Sequence, residues 1–182
     1  MKTKMKSKSE DYTAYEKLLD GSKLHIRAVT ADDKPMILNI WEHLSEQSIY
    51  YRFFSPKKRL TEKELEYFTD VDFKTHIALL GFVDENGKEN PVAAGRYIAT
   101  SKDEPHVAEV AFVVEDEFQG LGIATHLLSH LTKLAKERDI KEFKALVLGE
   151  NKSMLDVFKH SGLKMKKSLV DYSVWQVRLK LD

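Results

Sequence analysis

The chain has 182 residues, room for one domain with a substantial core. Hydrophobic residues make up 42% and charged residues 32%, as in a soluble globular protein, and a formal net charge of zero offers no global field for nucleic acid or an anionic membrane. There is no cysteine, which excludes disulfides, thiolate metal ligands and a cysteine acyl-enzyme, and is compatible with a reducing cytoplasm, the expected compartment.

The first ten positions alternate Lys2, Lys4, Lys6 and Lys8 with mostly polar residues and lack the apolar core of a signal peptide. No apolar run approaches the roughly 20 residues of a membrane span. Residues 1–17 are therefore expected to be a mobile basic and polar tail, and 18–182 a single domain. After the turn signal Asp20, Gly21, Ser22, alternation predicts a strand over 24–28. Thr30 or Asp32 can cap a helix through Met36, Ile37, Ile40, Trp41 and Leu44. An aromatic and basic cluster follows at 49–54. Thr61 with Glu64 has the spacing of a capping box for a second helix to about Thr69. Strands over 77–83 and 91–100 flank Asn86 and Gly87, a strong hairpin signal. A third strand, 107–114, completes an antiparallel meander. A long amphipathic helix begins at Ile123, a strand spans 143–148, a helix 152–161, and closing strands 163–166 and 173–179. The predicted order is β-α-α-β-β-β-α-β-α-β-β, a mixed α/β fold whose 107–148 unit is a crossover favouring parallel pairing of its strands.

The most telling stretch lies inside that unit. Gln119, Gly120, Leu121, Gly122, Ile123 and Ala124 form a glycine-rich loop that opens a helix. A helix start with little side-chain cover presents free backbone N–H groups and the positive end of its dipole, which suit a phosphate or pyrophosphate. Gly120 and Gly122 permit close approach of a ligand. A dinucleotide fingerprint needs a third glycine where Thr125 stands, and the Walker pattern is missing. By itself the loop is also compatible with a plain helix N-terminus. The strand before it carries one carboxylate, Glu109, among apolar residues. Glu109 shares its strand face with Val107, Ala111 and Val113. That face either meets solvent, making Glu109 an ordinary surface carboxylate, or is buried, raising its pKa toward the range useful to a base.

The pattern Gln119, Gly122, Ala124 resembles the acetyl-CoA-binding motif of the GNAT N-acetyltransferase superfamily. Further along, the chain is similar to one branch, the acetyltransferase domain of bacterial Pat-type protein lysine acetyltransferases. The residues carrying that likeness are Leu19, Asp20, Gly21, Ile26 and Arg27; Leu44, Ser45, Ser48, Tyr50, Arg52, Phe53 and Phe54; Leu60, Thr61, Val71 and Asp72; residues 108–112; and Glu150, Asn151, Met154, Leu155, Gly162 and Leu163. They span roughly residues 18–166. The resemblance implies a GNAT fold, a central mixed and mostly antiparallel sheet flanked by helices. It also implies acetyl-CoA as cosubstrate and direct transfer to an amine. Members of this branch often carry a regulatory or acyl-CoA synthetase-like domain, for which this chain has no room, so cyclic-nucleotide control is not carried over. A tyrosine found in many GNAT enzymes seven residues after the equivalent of Asn151 is replaced by Phe158, which cannot protonate a leaving thiolate.

By the same resemblance Glu109 is the general base, acting on an acceptor amine whose ordinary pKa is about 10.4. Phe112, Val113 and Val114 pair through their backbone with the pantetheine arm, and residues 119–124 hold the pyrophosphate. Asn151 bonds the arm, caps a helix, or does both. Tyr50 and Arg52 are candidates for the acceptor side, by analogy of position. His126 and His130, four apart on a helix, could pair on a metal, but no third ligand is evident and a solvated face is the expectation. Three functions stay open: an acetyltransferase acting on a protein lysine, plausibly of an acyl-CoA synthetase; the same chemistry on an amino acid or polyamine; and a non-catalytic acyl-CoA sensor. Glu109 favours an enzyme, Phe158 the sensor. Neither nucleic acid nor a membrane nor a metal is an expected partner.

Overall fold

Hydrophobic alternation and turn chemistry produce the expected elements, with two additions, in a computed structural model that describes residues 9–99 and 101–182. The elements are β1 (Thr13–Lys17), β2 (Lys23–Ala28), α1 (Lys34–Glu42), α2 (Glu46–Phe53), α3 (Glu62–Thr69), β3 (His76–Glu85), β4 (Lys88–Ile98), β5 (Val107–Val114), α4 (Ile123–Lys136), β6 (Glu142–Leu148), α5 (Lys152–Lys159), β7 (Lys164–Asp171) and β8 (Val174–Lys180). Short 3-10 turns precede α1 and follow β5. The strands form one sheet of eight in the order β1-β2-β3-β4-β5-β6-β8-β7. Every neighbouring pair is antiparallel except β5 with β6, which the α4 crossover makes parallel.

The two additions are β1 and α2. Thr13–Lys17 was expected within a mobile tail, yet it pairs antiparallel with β2. Tyr15 stacks on His25 with ring centroids 4.6 Å apart, and Glu16 reaches His130 on α4 at 2.8 Å. These long-range contacts, rather than local propensity, make the strand. Residues 1–8 of the expected tail, and Thr100 at the end of the expected strand 91–100, lie outside the described residues. Helix α2 starts at Ser45, whose Oγ accepts the Ser48 N–H at 3.1 Å, and ends at Phe54, whose φ of +57° is left-handed.

Where local chemistry is strong, sequence and structure agree. Thr61 and Glu64 close the capping box on α3. Asn86 and Gly87 both take positive φ, as a type I′ hairpin demands. Two cores lie on opposite faces of the sheet. Helix α4 buries Leu127, Leu128, Leu131 and Leu134 on one face, together with Phe143, Val147 and Phe158. Helices α1 and α3 cover Ala78, Leu80 and Phe82 on the other. Each fully buried large aliphatic side chain contributes about 1.5–3 kcal/mol. Gly95 lets α4 lie close: a Cβ there would stand 2.9 Å from Phe112 and 3.3 Å from Leu131.

Candidate active site

β5 and β6 are paired only at Val107, Ala108 and Glu109, opposite Glu142, Phe143 and Lys144. Beyond that point each strand stays with its outer neighbour, β5 with β4 through Val114 and β6 with β8 through Leu148. The two must therefore diverge, and one edge of residues 110–114 has no strand beside it. Backbone N–H and C=O groups on such an edge call for a partner. A cleft of about 880 Å³ opens there, lined by β5 from Glu109 to Val114, by the glycine loop, and by β6 and α5 across the gap. Phe158, 1% exposed, packs at the back of it with its ring 6.3 Å from Phe112.

At the far end of β5 the loop turns through Gly120 at φ +79° and Gly122 at φ +92°. A Cβ on Gly120 would meet nothing within 4 Å, and one on Gly122 only Leu19 Cγ at 3.8 Å. Backbone conformation, not packing against protein atoms, thus demands these glycines. Helix α4 starts at Gly122 with no side-chain cap and no acidic residue in its first turn. Gly120, Gly122, Ile123, Ala124 and Thr125 all line the cleft, so its wall at this point is a row of uncapped backbone. Leu121 is the exception in the expected set: its side chain packs toward the core and its carbonyl accepts the Leu19 N–H at 3.1 Å. Gln119 braces the loop, its Nε2 donating to the Val114 carbonyl at 3.0 Å and to Ser48 Oγ at 3.2 Å. Asp116 continues that brace. Its carboxylate accepts the Ser45 N–H at 2.9 Å, Ser45 Oγ at 2.7 Å and Ser48 Oγ at 3.1 Å. Burial works against its charge, but these bonds outweigh that and hold the carboxyl below its ordinary range. The loop and the N-terminus of α2 are thereby one hydrogen-bonded unit.

The expected residues meet in the cleft with three differences. Glu109 lines it, but its side chain is 72% exposed, with Lys144 Nζ at 3.9 Å. Of the two readings the sequence left open for this face, solvent exposure is the one realised, because α1–α3 cover β3, β4 and the Val113 end of β5 but reach neither Glu109 nor the neighbouring β6 positions; Leu146 is 53% exposed. Tyr50 does not line the cleft and points to solvent, while Tyr51, one helical step on, does line it and donates to the Glu150 carbonyl at 3.4 Å. Arg52 lines the cleft. Asn151 lines it as well and caps α5, its Oδ1 accepting the Met154 N–H at 3.2 Å. Third, Lys144 and Arg96 join the site unforeseen, although Arg96, a charge among Ala93, Ala94 and Gly95, shows the same kind of sequence signal as Glu109. Lys144 is held by Glu104 at 2.9 Å, which also binds Arg178 at 2.7 Å.

Glu115, just past β5, is pushed up to about 7 by burial, with nearby His43 opposing the rise. It does not line the cleft. His126 and His130 are not solvated as expected. Both face Glu16 on β1, at 3.5 and 2.8 Å, and His130 also meets the Tyr12 hydroxyl at 2.5 Å. They are a fastening between β1 and α4, and no cluster among the described residues has the make-up of a metal site.

Comparison with known proteins agrees with this architecture. The model of the acetyltransferase (GNAT) family matches residues 39–163. The acetyltransferase Pat of Mycolicibacterium smegmatis is 32% identical over 142 residues, which is 78% of this chain and 41% of that protein's length. The crystal structure of the GNAT domain of S. lividans PAT superposes with a TM-score of 0.83 at 34% identity, covering 92% of this chain and 96% of that one. A structure of yncA from Salmonella typhimurium, solved with its cofactor acetyl-CoA, shares the fold with a TM-score of 0.69 at 17% identity, over 87% of this chain and 94% of that one. A diverging strand pair beside an uncapped glycine loop, a family match over most of the chain and a Pat domain that superposes along nearly its whole length lead to one assignment: this chain belongs to the GNAT family and is an acyltransferase.

Proposed function

We propose that the protein transfers an acetyl group directly from acetyl-CoA to a primary amine, and that the acceptor is a lysine side chain on a protein. The observation carrying this reading is the unpaired β5 edge running from the glycine loop to Glu109. Five residues of extended strand separate Val114 from Glu109, about 17 Å, so a ligand touching both ends must be long and narrow. Acetyl-CoA fits, and yncA of the same fold was solved with it. Backbone N–H groups of residues 120–125 would hold the pyrophosphate, and the free edge of 112–114 together with the Asn151 amide would hold the pantetheine. When bound, acetyl-CoA supplies an activated thioester carbonyl.

The chain's own residues then do three things. The unpaired β5 N–H groups polarise that carbonyl. Glu109, open to solvent, accepts a proton from the acceptor amine through a water, leaving the nitrogen free to attack. Phe158 cannot donate a proton, so solvent protonates the departing sulfur, whose ordinary pKa is about 8.5. The likeness to Pat supports a protein acceptor, for which an acyl-CoA synthetase is the candidate, and the lack of cysteine fits a reaction in the reducing cytoplasm. No helix among the described residues is long and apolar enough to cross a membrane. Mass spectrometry of a cell extract incubated with the protein and acetyl-CoA tests the reading. Acetyl-lysine on specific proteins is expected. Acetylation of amino acids or polyamines alone would move the acceptor to a small amine, and no acetyl transfer at all would refute the enzyme.

A further inference from the structure

Arg52, in the last turn of α2, and Arg96, on β4, both line the cleft. Arg96 stands opposite Ala111, two residues along the same strand face from Glu109. The other partly buried arginines of the sheet are paired: Arg27 with Asp33 at 2.8 Å, Arg178 with Glu104 at 2.7 Å. Among the described residues Arg52 and Arg96 have no carboxylate partner, and Arg96 Nη1 is buried with no hydrogen bond. Aromatic rings position them instead. The Arg96 guanidinium lies 4.8 Å from the Tyr67 ring and 4.5 Å from Phe68, and that of Arg52 lies 5.1 Å from Phe53. Rings orient a guanidinium but do not neutralise it. Burial, and then the charge of Arg96, lower Arg52 to about 10; burial also lowers Arg96. Two unpaired, desolvated like charges destabilise the free protein. A planar anion bridging them would remove that cost, and the guanidinium fork matches a carboxylate.

We propose that Arg52 and Arg96 form a carboxylate-binding subsite on the acceptor side of the cleft, so that the preferred acceptor carries a carboxylate near its nucleophilic amine. Arg96 and Glu109 are diagonal neighbours across the β4–β5 pair, so their backbones stand about 7–8 Å apart. The carboxylate belongs either to a free amino acid or to an acidic residue beside the acceptor lysine of a protein. This inference rests on the acetyltransferase reading above.

Kinetics with matched acceptors test it: lysine peptides with Glu or Gln beside the lysine, and free amino acids against their amides. Wild type should prefer the acidic member of the effective pair by at least tenfold in kcat/KM, and the pair showing the preference identifies the source. Arg52→Gln and Arg96→Gln should abolish the preference mainly through KM, with unchanged affinity for CoA. Arg52→Gln should keep or raise the melting temperature, since it removes an unpaired charge. Arg52→Lys and Arg96→Lys serve if a glutamine variant misfolds, and should retain only part of the preference. Preference surviving in both glutamine variants, or none in wild type, overturns the subsite. If no acceptor is acetylated, the acetyltransferase reading fails separately, and the subsite is then read from the arginine Nε–H NMR signals during glutarate titration. Saturable shifts of Arg52 and Arg96 support it; their absence overturns it.

Discussion

Gly122→Ala separates what the loop does for the fold from what it does for a ligand. Gly122 has φ +92°, where an L-residue costs roughly 1–2 kcal/mol. Its new Cβ would stand 3.8 Å from Leu19 Cγ, an ordinary contact, so no clash adds to that strain. For a chain of this length each kcal/mol lowers the melting temperature by about 2–4 °C, giving an expected drop of about 2–8 °C. A typical stability of 5–15 kcal/mol leaves the variant folded. The methyl group occupies space that no protein atom uses, on the loop whose N–H groups are assigned to the pyrophosphate. CoA affinity should therefore fall more than tenfold, over about 1.4 kcal/mol. Calorimetric titration with CoA, alongside a melting curve, provides both numbers. A folded Gly122→Ala protein that binds CoA within threefold of wild type would refute the placement of the pyrophosphate on this loop.

Glu109→Gln should lower turnover by about 10²–10⁴-fold with CoA binding nearly intact, and the loss should shrink at high pH, where the acceptor amine deprotonates unaided; a pH series of initial rates checks both. Asp116→Asn removes a charged acceptor from the brace between the loop and α2, costing roughly 1–3 kcal/mol, and should raise KM for CoA and acceptor together. The Asp116 carboxyl is held below its ordinary value of 3.8, so its contribution is present above about pH 4 and lost as pH falls through the lower folded value; acid unfolding of the asparagine variant should show less of this dependence. Glu115 behaves oppositely. Its carboxyl rises from 4.5 to about 7 in the folded protein, so the folded state is favoured at low pH and destabilised as pH climbs between those values, by roughly 3–4 kcal/mol well above pH 7. Glu115→Gln should thus gain stability at pH 8 but not at pH 4, measured by urea unfolding.

Much of the architecture was legible because local chemistry decided it. The Thr61–Glu64 capping box, the Asn86–Gly87 turn and the period of α4 each act within a few residues. β1 was not legible, since Thr13–Lys17 becomes a strand through β2 and through Glu16 meeting a histidine more than a hundred residues away. The site divides in the same way. Alternation placed Glu109 on the right strand face, but only the extent of α1–α3 decides whether that face is covered. Tyr50 and Tyr51 sit in one cluster, and the phase of α2, fixed by its Ser45 cap, selects Tyr51 for the cleft. The charge of Arg96 is visible in sequence; its lack of a partner is a property of three dimensions.

Amide hydrogen exchange with and without acetyl-CoA tests most directly the claim that the gap between β5 and β6 holds the acetyl donor. The account predicts slowed exchange on binding along residues 110–114 and 120–125, with the β7–β8 hairpin unaffected. Saturating acetyl-CoA that protects neither segment, or protects only the hairpin, would contradict it.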